Sequence, residues 1–151
     1  MEIRDGMTHA GARAGRRSIL KPPPILALLF LLLGLPTVLI QVYLTPPIQV
    51  PDEENHFLRA LQVADGHAFG RKIGGGNAGG RLDPAAPVFA HAFDALKFAP
   101  DVKLDLQVYA SAAAMQWGTG APAPAAFPNT AIYPFFFYLP ASAGIEAGRA
   151  M

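Results

Sequence analysis

A membrane protein, mainly helical, with a mixed α+β region outside the bilayer is the fold class this sequence predicts. Three observations lead there. Ile25 to Leu44 is a run of twenty residues without a charge. Basic residues precede it and carboxylates follow it. The remaining hundred or so residues alternate short apolar patterns with Pro- and Gly-rich breaks. Apolar residues make up 52% and charged ones only 15%, a balance unlike that of an ordinary soluble domain.

The boundaries follow in order. Residues 1–24 read as a basic tail: Arg4, Arg13, Arg16, Arg17 and Lys21 stand among small residues with no apolar face to bury. Pro22, Pro23 and Pro24 prevent any earlier helix start. Residues 25–44 form the spanning helix, since twenty residues at ~1.5 Å rise cover roughly 30 Å, the thickness of a bilayer core. Pro36 is tolerated in such a helix, and Tyr43 suits an interface. The alternative, a cleaved signal peptide, has a shorter apolar core of ~7–15 residues and small residues at its cleavage site. Here the run is longer and ends in Tyr43-Leu44-Thr45-Pro46-Pro47. Five basic residues before the helix, and none after it until Arg59, place the N-terminus in the cytoplasm and the following loop outside. The expected location is a bacterial inner membrane, with the lipid bilayer as the first partner.

Residues 45–128 form the extracytoplasmic loop region. Pro46, Pro47 and Pro51 hold the exit extended. Asp52 is the expected N-cap of a helix running from Glu53 to about Asp65, with Gly66 as its stop and Phe57, Leu61 and Ala64 as its apolar row. Gly74 to Arg81 reads as a loop, because so much glycine is costly to order. Ala86 to Phe98 reads as an amphipathic helix with Phe89, Ala92, Phe93 and Leu96 on one side. Val102, Leu104, Leu106 and Val108 alternate with polar residues, which favours a strand. Residues 118–128 read as linker. Residues 129–151, rich in Tyr133, Phe135, Phe136, Phe137 and Tyr138, read as an interfacial segment and the start of a second membrane helix, with Glu146 at the interface within reach of Arg149.

Several function classes drop out. A net charge of +1 without a basic stripe argues against nucleic acid. The lack of cysteine excludes disulfides, thiolate metal sites and cysteine nucleophiles. The chemistry that remains is concentrated in Asp52, Glu53 and His56. Carboxylates at the mouth of a membrane helix are suited to taking a proton from a hydroxyl or holding a divalent metal ion, and a carboxylate four residues from a histidine suits a metal such as zinc. The same residues equally well cap a helix and meet solvent. No closed ligand set fixes a metal. Arg71, Lys72 and Arg81 flank the glycine run, which either wraps a phosphate or simply connects; it lacks the Lys-Ser/Thr of a P-loop. His67 and His91 are single histidines and read as structural.

Three stretches together resemble a known family. They are Pro51-Asp52-Glu53-x-x-His56-Phe57-x-Arg59-Ala60 behind a first membrane helix, then Gly74-Gly75-Gly76-Asn77-Ala78-Gly79-Gly80, then Asn129-Thr130-Ala131-x-Tyr133-Pro134-x-x-x-Tyr138-x-Pro140. In this order they resemble the start of domain-of-unknown-function family 2142, bacterial predicted membrane proteins. The resemblance implies a multi-spanning protein with the GT-C architecture of glycosyltransferases that use polyprenyl-phosphate-linked sugars. It implies a catalytic or metal-binding role for Asp52 with Glu53 as helper. It also implies phosphate or carboxylate binding by Arg59 and a lipid-facing entrance lined by Tyr133 and Tyr138. Glu54-Asn55 stands where such proteins usually carry Pro-Ala. By the resemblance this chain is expected to be an N-terminal fragment, stopping within its second membrane helix. The competing expectation is a non-catalytic, single-pass anchored interaction or assembly module.

Overall fold

The computed structural model describes residues 24–151, so the expectations for the basic tail up to residue 23 fall outside it. The chain divides into two units, one ending at Val42 and one comprising Tyr43–Met151.

The helix of the first unit, α1, runs Pro24–Leu44 and carries Pro36 inside it. None of its residues is buried. Among the described residues it is the one helix long and apolar enough to cross a membrane. Leu, Ile, Val and Phe side chains exposed around its whole circumference match a helix solvated by hydrocarbon and would be costly in water.

The second unit is a small α+β structure built around α2, Glu53–Ala64. The chain reaches α2 through turns, contrary to the extended exit expected from its prolines. Ile48 adopts φ 58° and is buried against Phe93, Leu96 and Ala112. Val50 to Glu53 then forms a tight turn closed by the Glu53 N–H to the Val50 carbonyl at 3.1 Å, with Pro51 second and Asp52 third at φ 65°. Proline second and a positive φ third define a type II turn. Asp52 therefore occupies the N-cap position without capping. Its left-handed backbone turns the carboxylate away from the first-turn amides, and no side-chain cap bond forms.

The glycine run is a β-hairpin, which corrects its reading as a loop. Strands β1, Arg71–Gly74, and β2, Asn77–Leu82, pair antiparallel through a two-residue turn at Gly75 and Gly76, both with positive φ. That geometry matches the right-handed twist of a hairpin and is open chiefly to glycine, so here the glycines specify a strand pair. A third strand, β3, Ala123–Ala126, pairs with the other edge of β2 and gives the order β1-β2-β3. Its Ala-Pro-Ala-Ala sequence carries no strand signal, which is why the linker reading missed it.

Helix α3, Ala85–His91, and a 3-10 turn at Asp94–Leu96 follow β2, and Phe93 and Leu96 point inward as their spacing predicts. The strand expected at 102–108 is absent. Helix α4, Leu106–Ala113, begins there, capped by Asp105 Oδ1 accepting from the Gln107 N–H at 2.7 Å. The cap and the alanine-rich stretch after it outweigh a short alternating pattern that finds no partner strand. Helices α5, Pro128–Ala131, and α6, Leu139–Arg149, complete the unit, with a 3-10 turn at Phe135–Tyr138 between them. The main core joins α2, β2, α3, β3 and α5 through Leu58, Leu61, Leu82, Ala86, Ala125 and Phe127. Helix α6 lies on α2, where the Ser142 hydroxyl donates to the Ala60 carbonyl at 2.9 Å.

Candidate functional site

Helix α2 is buried through Leu58, Arg59, Ala60, Leu61 and Gln62, a broader face than the Phe57–Leu61–Ala64 row that periodicity predicts. Two buried residues are polar, and both hold the surrounding backbone. The Arg59 guanidinium donates to the carbonyls of Ala68 at 2.7 Å and Tyr133 at 3.1 Å, and to Gln62 Oε1. Gln62 Nε2 donates in turn to the Phe69 carbonyl at 3.1 Å. Gly80 admits this amide: a Cβ there would stand 2.6 Å from Gln62 Nε2. Burial holds the Arg59 pKa below the ordinary arginine value, opposed by the nearby Tyr138.

Arg59 was expected to face a phosphate or carboxylate. The structure places it inside instead, 1% exposed, with its fork spent on main-chain carbonyls. Tyr138 is also interior, 6% exposed, with its ring 5.8 Å from the Arg59 guanidinium carbon. Only Tyr133 of the two tyrosines expected at an entrance is on the surface.

The N-terminal end of α2 meets the segment 129–138 at a seam. Asn129 Nδ2 donates to Asp52 Oδ1 at 3.1 Å. The Thr130 hydroxyl donates to the Asn55 carbonyl at 2.8 Å. His56 Nδ1 and the Tyr138 hydroxyl share a hydrogen bond at 3.0 Å, and the imidazole stacks between the rings of Tyr133 and Tyr138. Glu53 Oε2 accepts from the Val50 N–H at 3.1 Å. Asp52, Glu53, His56, Tyr133 and Tyr138 thus assemble in one place, joined by Asn129 and Thr130. Those two lay inside a quoted motif, but no spacing rule marked them as partners across so long a loop.

Arg71, Lys72 and Arg81 do not surround a phosphate loop. Arg71 and Lys72 are exposed on the edge strand β1, and Arg81 on β2 donates to the Pro122 carbonyl. The hairpin pairing uses backbone groups that a phosphate cradle would need.

A second cluster was not anticipated. Glu54, His91 and Asp94 bring one donor atom each within 4.8 Å of one another. The Lys97 ammonium already lies among them, bonded to Glu54 and, at 2.6 Å, to Asp94. Burial raises the Asp94 pKa, but hydrogen bonds from Lys97 and His91 outweigh it and hold the carboxyl below its ordinary value. Burial lowers the Lys97 pKa, and the bonds and charges of Asp94 and Glu54 reverse this and raise it. The cluster's positive charge comes from the protein itself.

A helix of bilayer length followed in the chain by a small α+β unit, with dispersed polar motifs closing on one seam, marks a membrane protein with a folded α+β unit after its apolar helix. The chain belongs to the family described as "Predicted membrane protein (DUF2142)", whose profile matches residues 24–151. No curated protein and no solved structure matches it.

Proposed function

We propose that this chain supplies the membrane helix and the acidic, membrane-proximal site of a GT-C-type glycosyltransferase that uses a polyprenyl-phosphate-linked sugar in building the bacterial envelope. The observation that carries this reading is the meeting of Asp52 with Asn129, which brings two separated motifs of the family together a few residues beyond a spanning helix. In this reading the N-terminus is cytoplasmic and the α+β unit lies outside the inner membrane.

Asp52 then acts as general base. The acceptor hydroxyl oxygen forms a bond to the anomeric carbon, the bond from that carbon to the phosphate oxygen breaks, and the hydroxyl proton passes to the Asp52 carboxylate. Asn129 fixes one carboxylate oxygen and leaves the other for the proton. His56, held by Tyr138, stands one turn further along α2 as a partner for substrate hydroxyls. Arg59 serves by position, pinning the Tyr133 backbone and thereby the far side of the seam. Arg71 and Lys72, exposed on β1, remain on the same unit as cations for a lipid phosphate. The oxygen donors of Asp52, Glu53 and Asn129 suit a hard divalent cation, although Glu53 Oε2 is already bonded to the Val50 N–H.

The test is Asp52→Asn in the native membrane-embedded protein. Asparagine keeps an oxygen for Asn129 but accepts no proton at neutral pH. Glycan transfer should fall by about a hundredfold or more, in the range that removal of a general base produces. Unchanged transfer ends the catalytic reading.

A second reading is favoured by the internal engagement of Asp52 and Glu53: an anchored, non-catalytic assembly module in which Asp52 clips the seam through Asn129 and Glu53 closes the local turn at Val50. It expects Asp52→Asn to behave as wild type and Asp52→Ala to weaken the fold.

A further inference from the structure

A cleft of about 1090 Å³ opens within the α+β unit, away from the residues assigned to the seam. Its floor is apolar, formed by Phe57, Leu61, Leu82 and Ala86. One wall is the loop carrying Trp117. The Gly118 N–H donates to Asp83 Oδ2, and Arg81 holds Pro122 a few residues on, so the indole stands on a tethered loop. Phe57 and Phe89 prop it at centroid distances of 6.5 and 5.8 Å. The opposite wall is α6, fixed to α2 by Arg149 donating to Asp65 at 2.9 Å.

The polar rim selects among ligands. Arg81 and Arg149 face Asp65 and Asp83, and Arg149 is further neutralised by Glu146 at 2.7 Å. An anion would meet carboxylates as readily as guanidinium groups. Each of these groups is already engaged within the protein, Asp83 accepting from the Ala85 and Gly118 N–H groups and Arg81 donating to Pro122, so a wholly apolar ligand would cover only their remaining N–H groups and lone pairs, at a cost. A neutral polyol satisfies both kinds at once, because each hydroxyl donates to a carboxylate and accepts from an arginine. A sugar ring also has an apolar face that fits the flat side of an indole. The volume is at the upper end of the ~300–1,000 Å³ typical of ligand sites, room for more than one ring.

We propose that this cleft binds a neutral oligosaccharide, one ring of which lies against Trp117 between Asp83 and Arg149. The inference stands apart from the role given to Asp52, since it concerns binding and no transfer.

Trp117 is the single tryptophan of the chain, so its fluorescence reports on the cleft alone. The full chain is titrated in a detergent without a sugar headgroup, using maltotriose, cellotriose, chitotriose and mannotriose. At least one should give a saturable change with Kd of about 1 mM or tighter. Gly148 lines the cleft on the α6 wall and a Cβ there would meet no atom within 4 Å, so Gly148→Leu adds bulk at the cleft wall. By calorimetry this variant should bind about tenfold more weakly or worse, with an unchanged unfolding temperature. Trp117→Phe, which retains an aromatic prop, should weaken binding by about threefold to tenfold. No saturable response to any of the four trisaccharides, equal affinity in Gly148→Leu, or a stronger response to inorganic phosphate would each overturn the proposal.

Discussion

Asn129 Nδ2 donates to Asp52 Oδ1 at 3.1 Å, although the two residues lie 77 positions apart. Asp52 makes this bond from a left-handed backbone at φ 65°, the third position of a type II turn, where glycine or asparagine is usual. A carboxylate at such a position costs about 1 kcal/mol of backbone strain. Asp52→Gly relieves the strain but forfeits the Asn129 bond and frees the unfolded chain, so it should leave stability within about 1 kcal/mol of wild type. Thermal unfolding in detergent checks this. A loss beyond about 2 kcal/mol would mean that the side chain, and not the turn, holds the start of α2.

Arg59 joins α2 to the Ala68 and Tyr133 carbonyls through a planar fork that lysine lacks. Arg59→Lys should lose about 2 kcal/mol, and Arg59→Leu about 3 kcal/mol, because the part-buried Ala68 and Tyr133 bonds lose their donor. Denaturant unfolding gives both values. Variants within about 0.5 kcal/mol of wild type would show that water replaces the guanidinium easily.

Gly79 is where β2 and β3 approach most closely: a Cβ there would collide with the Ala125 carbonyl oxygen. Gly79→Ala must spread the pair and should cost about 2 kcal/mol or more. Gly75→Ala in the hairpin turn meets no atom and is strained only by its φ of 58°, so it should cost about 1 kcal/mol. Amide exchange at Ala125 and Phe127, whose N–H groups face β2, should quicken in the first variant and not in the second.

Local patterns made α1, α2 and the inward-pointing Phe93 and Leu96 beyond α3 legible, because each rests on a periodicity or a composition contained in one stretch. Asp52 was legible as the residue before α2 but not as a failed cap, since its φ is set by Pro51 and the turn closure. The glycine run misled because its cost in a strand is offset by close packing: Gly79 and Gly80 admit β3 and the Gln62 amide. The ligand-facing role expected of Arg59 came from the family resemblance and not from its local pattern, and arginine is seldom buried. Its partners are main-chain carbonyls, which no side-chain pattern announces. The seam itself was legible only as two separate motifs, and their contact depends on the fold of the chain between them.

The Glu54–Lys97–Asp94 cluster, with His91 beside it, should give stability a defined pH window. Asp94 has a depressed folded pKa, so its contribution is present above the unfolded carboxyl value of ~3.9 and is lost as pH falls through the folded value. Lys97 has a raised folded pKa, so its contribution is present below ~10.4 and is lost as pH rises through the folded value. Between these limits Lys97→Met should destabilise by no more than about 1 kcal/mol, because the Asp94 carboxylate is half exposed and solvent screens it. The mutant and wild-type unfolding temperatures should therefore converge as pH falls through the depressed Asp94 value, and again as it rises through the raised Lys97 value. A constant gap across that range would assign the Lys97 effect to the packing of its aliphatic stem, which covers apolar surface whatever the charge of the amine.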